Sequence, residues 1–177
     1  MNKILVIISI VLISCTDNTQ VVDKTVKRNI DKDTVNERLI SANKLFVGTE
    51  NEMIDDFVKR YKWDMMISSS GLRYNIYKKN SDIKPKYDDI VTLAYTTSLL
   101  NGKVIYSSKE DGLKKFTLGK AEVEKGLEEG VMMLSVGEKA KFIIPSHLAF
   151  GLIGDQNKIP RNATLIYDVE LLKIEKK

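Results

Sequence analysis

Between Gly71 and the last residue, only VEKGLEEGVMML (123–134) spaces its apolar residues as a helix does; the rest alternates at period two or turns. Val123, Gly126, Leu127, Gly130, Val131 and Leu134 fall on one face of that helix, and Glu124, Lys125, Glu128 and Glu129 fall opposite. Each interior glycine costs about 1 kcal/mol of helix propensity relative to alanine, so a pair on the apolar face demands an offsetting contact. Close approach of the helix backbone to a sheet would supply it. That sheet is legible on both sides. Leu72, Tyr74 and Ile76 alternate with Arg73, Asn75 and Tyr77, and a longer strand runs from Ile90 to Leu100. Asn101-Gly102 predicts a tight turn with a left-handed residue pair, after which Lys103 to Ser107 return. A short strand surrounds Phe116 to Leu118. Ala140, Phe142 and Ile144 then alternate with Lys139, Lys141 and Ile143, and Leu165, Tyr167, Val169 and Leu171 mark the last strand. The expected fold class is α+β, with about five to six mostly antiparallel strands and one short helix covering a face.

Ahead of this domain (68–177) the sequence divides into three parts. Residues 1–14 carry Lys3 and then an apolar run of about ten residues, short of the roughly twenty that span a bilayer, which predicts an export signal peptide. Its end, Leu12-Ile13-Ser14-Cys15, resembles a bacterial lipobox, where the chain is cut before the cysteine and the new terminus is acylated. Cys15 is then a lipid-attachment site and the partner is a membrane; the alternative is a soluble secreted protein with a stray thiol. Residues 15–32 are polar and aperiodic, as a flexible tether is. Within 33–67, Thr34 with Glu37 and Thr49 with Glu52 form two capping boxes around Gly48, which predicts two helices. Ile54, Phe57, Val58, Tyr61 and Met65 form one stripe, either packed on the following domain or serving as a homodimer contact.

Composition excludes several kinds of chemistry. One cysteine and one histidine cannot build a zinc site, and His147 reads as an exposed turn residue. No metal and no cofactor are expected. A net charge of +4, without lysines interleaved with aromatics, gives no nucleic-acid surface. No nucleophile stands beside a base, and no glycine-rich phosphate loop occurs. Either the chain binds without turnover, or it catalyses a reaction that needs no acid, base or metal. Rotation about an X-Pro bond is one: the barrier of about 18–20 kcal/mol is amide resonance, which an apolar pocket weakens by disfavouring the charge-separated planar form.

From about Gly71 to Ile174 the sequence resembles an FKBP-type peptidyl-prolyl isomerase. The landmarks are VTLAYTTSLLNGKVIYSS (91–108), FTLGKAEVEKGLEEGVMMLSVGEKAKFIIP (116–145), SHLAFG (146–151) and IPRNATLIYDVELLKI (159–174). The resemblance implies a twisted antiparallel sheet wrapped around the short helix, with a proline pocket between them. It assigns pocket walls to Tyr95, Ile105 and Phe116, flanking positions to Val123 and Ile159, and a deep aromatic position to Tyr167. Leu127 stands where the family has a floor tryptophan, and Phe150 replaces a ligand-bonding tyrosine. Tyr106, Lys114 and Glu124 depart from a common aspartate, apolar aromatic and isoleucine, and Tyr106 is a candidate to replace part of the lost hydroxyl function. This predicts weaker turnover and poor macrolide affinity.

The signal, helical segment and domain together are similar to FKBP-like lipoproteins of Bacteroidetes associated with gliding motility. That similarity implies a lipid-anchored protein of the cell envelope, whose partners are proline-containing exported or envelope proteins, and Thr16 after the cysteine, where some bacteria place an inner-membrane retention aspartate, points to the outer membrane facing the periplasm. Against the isomerase stands a non-catalytic FKBP-like chaperone or structural module of an envelope complex, favoured by Leu127 and Phe150.

Overall fold

The computed structural model describes residues 32–80 and 83–176. The signal peptide, Cys15 and all of the expected tether but Lys32 lie outside the described residues. Leu39 and the described residues after it form one compact unit.

Helix α1 runs unbroken over Lys32–Tyr61, so the two helices expected around Gly48 are one. Thr49 does not cap a second helix: its hydroxyl donates to the Leu45 carbonyl, one turn back, at 3.0 Å. Gly48 meets open space and keeps an ordinary helical backbone, so it costs propensity without stopping the helix. The helix ends where Lys62 turns left-handed (φ 54°) and the Trp63 N–H bonds the Val58 carbonyl at 3.1 Å. Its second half carries most of the expected stripe, but Tyr61 is exposed and Met65 lies past the helix end. Ile54 is fully buried, and Phe57, Val58, Trp63 and Met65 pack with it against Ile143 and Ile166.

The sheet has seven antiparallel strands: β1 (Met66–Ile67), β2 (Arg73–Lys78), β3 (Ile90–Leu99), β4 (Val104–Ser107), β5 (Lys114–Thr117), β6 (Lys139–Ile144) and β7 (Leu165–Glu175). Their order is β1-β2-β6-β7-β3-β4, with β5 paired to the start of β3. The strand beyond the expected set is β1, a two-residue pairing too short to show a period. In β3 the buried residues are Val91, Leu93, Tyr95 and Thr97, and in β7 Leu165, Tyr167, Val169 and Leu171, the alternation one covered face requires. Ile143 and Ile166 break that rule because α1 covers the other face. At the β3–β4 turn only Gly102 is left-handed (φ 84°); Asn101 instead accepts the Lys103 N–H on its side-chain oxygen at 3.0 Å.

Helix α2 is a single turn, Ser108–Asp111, and α3 spans Lys125–Val131, shorter than the apolar spacing suggested. Its glycines answer the question they raised. A β-carbon on Gly126 would lie 2.4 Å from Ile144 Cγ2, and one on Gly130 would lie 2.7 Å from two carbons of the Phe142 ring. Both neighbours belong to β6, so α3 touches the sheet at distances that no larger residue permits.

Candidate active site

The site is built where β3, β4, β5 and β7 converge on the N-terminal end of α3 and the long connection between β6 and β7. Alternation on β3 and β7 turns Tyr95 and Tyr167 inward, with ring centroids 6.4 Å apart. Ile105 from β4, Phe116 from β5, Leu127 from α3 and Ile159 from the connection join the same buried cluster. Val123, Phe150 and Tyr106 are half-buried and pack against it. The structure thus brings every apolar site residue named from the sequence into one cluster. Most of that set is core, however. Val123 and Phe150 alone line the adjacent hollow of about 330 Å3, together with Lys114, Ala121, Glu122, Glu124 and Ala149.

Polar groups enter this cluster from the departing positions. Glu124, expected on the exposed face of the helix, is only 8% exposed, because it precedes α3 in extended backbone (φ −59°, ψ 139°) and turns inward. Tyr167 donates its hydroxyl to Glu124 Oε1 at 2.7 Å, while Oε2 is buried without a hydrogen-bond partner. Burial, and then the Glu124 charge, push the Tyr167 hydroxyl well above the ordinary tyrosine pKa. Burial followed by Asp111 and Glu124 raises Tyr95 as well. The Lys114 ammonium lies 5.0 Å from the Tyr95 ring centroid and 6.0 Å from that of Tyr167, a cation held over both aromatic rings.

Tyr106 points elsewhere. Its hydroxyl donates to Asp155 Oδ2 and accepts from Asn157 Nδ2 at 3.3 Å, so it is not free to replace the hydroxyl that Phe150 lacks. The other Asp155 oxygen accepts the backbone N–H groups of Asn157 at 2.9 Å and Ile159 at 2.7 Å. Tyr106 therefore pins the loop that carries Ile159. His147 is exposed in a 3-10 turn, Ser146–Leu148, with Nε2 3.1 Å from the Ser70 carbonyl.

Residues 81–172, more than half of the chain, match the FKBP-type peptidyl-prolyl cis-trans isomerase family. The chain belongs to this family. The FKBP-type isomerase FkpA of Aeromonas hydrophila is 36% identical over 155 residues, covering 88% of this chain and 53% of that protein. The peptidyl-prolyl cis-trans isomerase Fkbp12 of Drosophila melanogaster is 47% identical over 92 residues, covering 51% of this chain and 85% of that one. Among solved structures, FkpA from Escherichia coli superposes with a TM-score of 0.60 at 29% identity, covering 84% of this chain and 75% of that one. The chain spans about half the length of the Aeromonas relative.

Within the FKBP domain, Leu127 of α3 is fully buried. A larger hollow, about 430 Å3, lies between α1, the β3–β4 turn and residues 160–164; it is mostly apolar and holds none of the residues gathered around Tyr167. The smaller hollow is the better candidate because its lining includes Glu124, the carboxylate bonded to Tyr167, and Lys114, the cation held over Tyr95 and Tyr167. Sequence reasoning missed Asp155, whose Asx turn follows Gly151 and Gly154 and was open to detection. It also missed Glu50, 6% exposed in α1, whose partners lie 96 and 114 residues away and leave no local signal.

Proposed function

We propose that this chain is a peptidyl-prolyl cis-trans isomerase that assists the folding of exported proteins. The observation that carries the reading is the convergence of Tyr95, Ile105, Phe116, Leu127, Ile159 and Tyr167 beneath a hollow rimmed by Val123 and Phe150 in an FKBP domain. Apolar walls favour the twisted X-Pro amide over its charge-separated planar form, so catalysis requires enclosure and no proton transfer. Slow X-Pro exchange, tens to hundreds of seconds, limits folding of many chains, and an isomerase near the site of export relieves it. The test is the cis–trans exchange rate of an X-Pro peptide in the presence of the folded protein. Acceleration is expected; an unchanged rate refutes turnover.

The second reading, a non-catalytic FKBP-like chaperone or structural module, is favoured by one observation: the Lys114 ammonium occupies the space over Tyr95 and Tyr167. It predicts peptide or unfolded-protein binding with no change in exchange rate.

The finer placement is also a proposal. Acylation at Cys15 would anchor the protein in the cell envelope, on the outer membrane facing the periplasm, in support of gliding motility. Cys15→Ser would then release it from the membrane fraction. The exposed Leu39, Ile40, Leu45 and Phe46 support a homodimer contact within residues 33–67, and sedimentation tests it against Leu45→Glu.

A further inference from the structure

One side chain of α1 holds both ends of the connection that carries Phe150 and Ile159. Glu50 Oε1 accepts the Ser146 N–H at 2.7 Å and the Thr164 hydroxyl at 2.6 Å, and Oε2 accepts the Ser146 hydroxyl at 2.9 Å. Ser146 opens the 3-10 turn directly before Ala149 and Phe150, and its carbonyl in turn accepts the N–H groups of Ala149 and Gly151. Thr164 closes the same connection, one residue before β7. Between these ends, the Asn162 N–H donates to the Gly151 carbonyl at 2.8 Å, so the two arms are tied to each other and Glu50 ties both to α1.

Attachment of the helix does not need this carboxylate. Ile54 with Phe57 and Val58 packs on Ile143 and Ile166, and buried Arg73 binds Asp55 at 2.9 Å and Asn51 at 2.8 Å. A buried charge is costly unless its hydrogen bonds are satisfied, and each Glu50 oxygen here accepts hydrogen bonds from groups of that one connection. Such bonds fix separations that apolar packing leaves loose.

We infer that Glu50 is a positioning residue for the proline-binding loop. Through it α1 sets the spacing of Ser146 and Thr164, hence the seating of Phe150 and Ile159, and peptide affinity depends on a helix outside the matched FKBP segment. The inference rests on the isomerase reading above.

The experiment uses the full chain with Glu50→Ala, Glu50→Gln and the loop-side pair Ser146→Ala/Thr164→Val. It reads KM and kcat on an X-Pro peptide, and amide hydrogen exchange over residues 146–164. Glu50→Ala is expected to raise KM about tenfold with kcat little changed, and to speed exchange in that segment while β3 and α3 stay protected. Glu50→Gln keeps a carbonyl acceptor, and its amide can donate to a rotated Ser146 hydroxyl, so it restores most of the affinity. The loop-side pair leaves α1 untouched and reproduces the KM rise; it carries the test if Glu50→Ala fails to fold. Unchanged KM and unchanged loop exchange in folded Glu50→Ala or in the loop-side pair overturn the inference, as does a glutamine variant no better than alanine. If the parent chain fails to turn over any peptide, the isomerase reading falls, and loop exchange alone then decides whether Glu50 positions the loop.

Discussion

Alanine at Gly130 and alanine at Gly48 are the same chemical change in two helices, and the structure gives them opposite signs. In both cases the added methyl recovers about 1 kcal/mol of helix propensity. At Gly48 it meets nothing within 4 Å, so that gain stands alone. At Gly130 it would lie 2.7 Å from Phe142 Cε2 and Cζ and 3.0 Å from Cδ2. Phe142 is fully buried in the middle of β6, and its ring cannot swing aside as the tip of a surface chain would. Either α3 lifts from the sheet or the ring leaves its rotamer, an overpacking cost of about 1–3 kcal/mol. The net expectation for Gly130→Ala is a loss of up to about 2 kcal/mol, against a gain of up to about 1 kcal/mol for Gly48→Ala. For a chain of this size each kcal/mol moves the melting temperature by roughly 2–4 °C. Thermal unfolding followed by circular dichroism should therefore separate the two variants by several degrees in opposite directions. If Gly130→Ala melts at or above the parent, the claim that close contact with the sheet explains the glycines of α3 is wrong.

Other expectations follow from the site. Tyr167→Phe strips Glu124 Oε1 of its donor and should cost about 1–3 kcal/mol in urea unfolding, whereas adding Glu124→Ile replaces both partners with apolar groups and should recover most of it. Because the folded-state pKa of Tyr167 is raised, its contribution is intact below the free tyrosine value of about 10 and is lost as the pH rises beyond it; phenolate absorbance should show this group ionising only with unfolding. Burial tends to raise Asp155, but the hydrogen bonds from Tyr106, Asn157 and Ile159 leave its pKa lowered. Its stabilisation is therefore present above the ordinary carboxylate value of about 4 and lost as the pH falls through the lower folded value, and an acid titration of Tyr106→Phe should be flatter there. If the proposed proline site lies over Tyr95 and Tyr167, Lys114→Leu removes a cation–π contact of about 0.5–2 kcal/mol that a bound proline ring would displace, so kcat/KM should rise by about 2- to 30-fold; a fall would mean that the ammonium touches substrate.

What the sequence disclosed, and what it withheld, divides by the range of the interactions. Val91 to Thr97 and Leu165 to Leu171 were legible because one covered face imposes period two on every strand that lies against it. The glycines of α3 were legible for a related reason: a residue with poor helix propensity on an apolar face has to be explained by contact. Gly48 and Thr49 misled because a capping box is a local pattern, and burial of Ile54 two turns later belongs to the same helix that the pattern would have ended. The pocket residues came from resemblance, since periodicity cannot separate Tyr95 or Tyr167 from ordinary core. Two departing positions acquired meaning only through partners distant in the chain, Glu124 through Tyr167 and Tyr106 through Asp155, and Glu50, which carried no expectation, did so through Ser146 and Thr164. All three are hydrogen bonds to carboxylates, and of these only Glu124 carried an expectation, of a place on the exposed face of the helix. A buried carboxylate is costly without donors, so each marks a point where the fold has been arranged around that residue, at the loop and helix that border the proposed proline site.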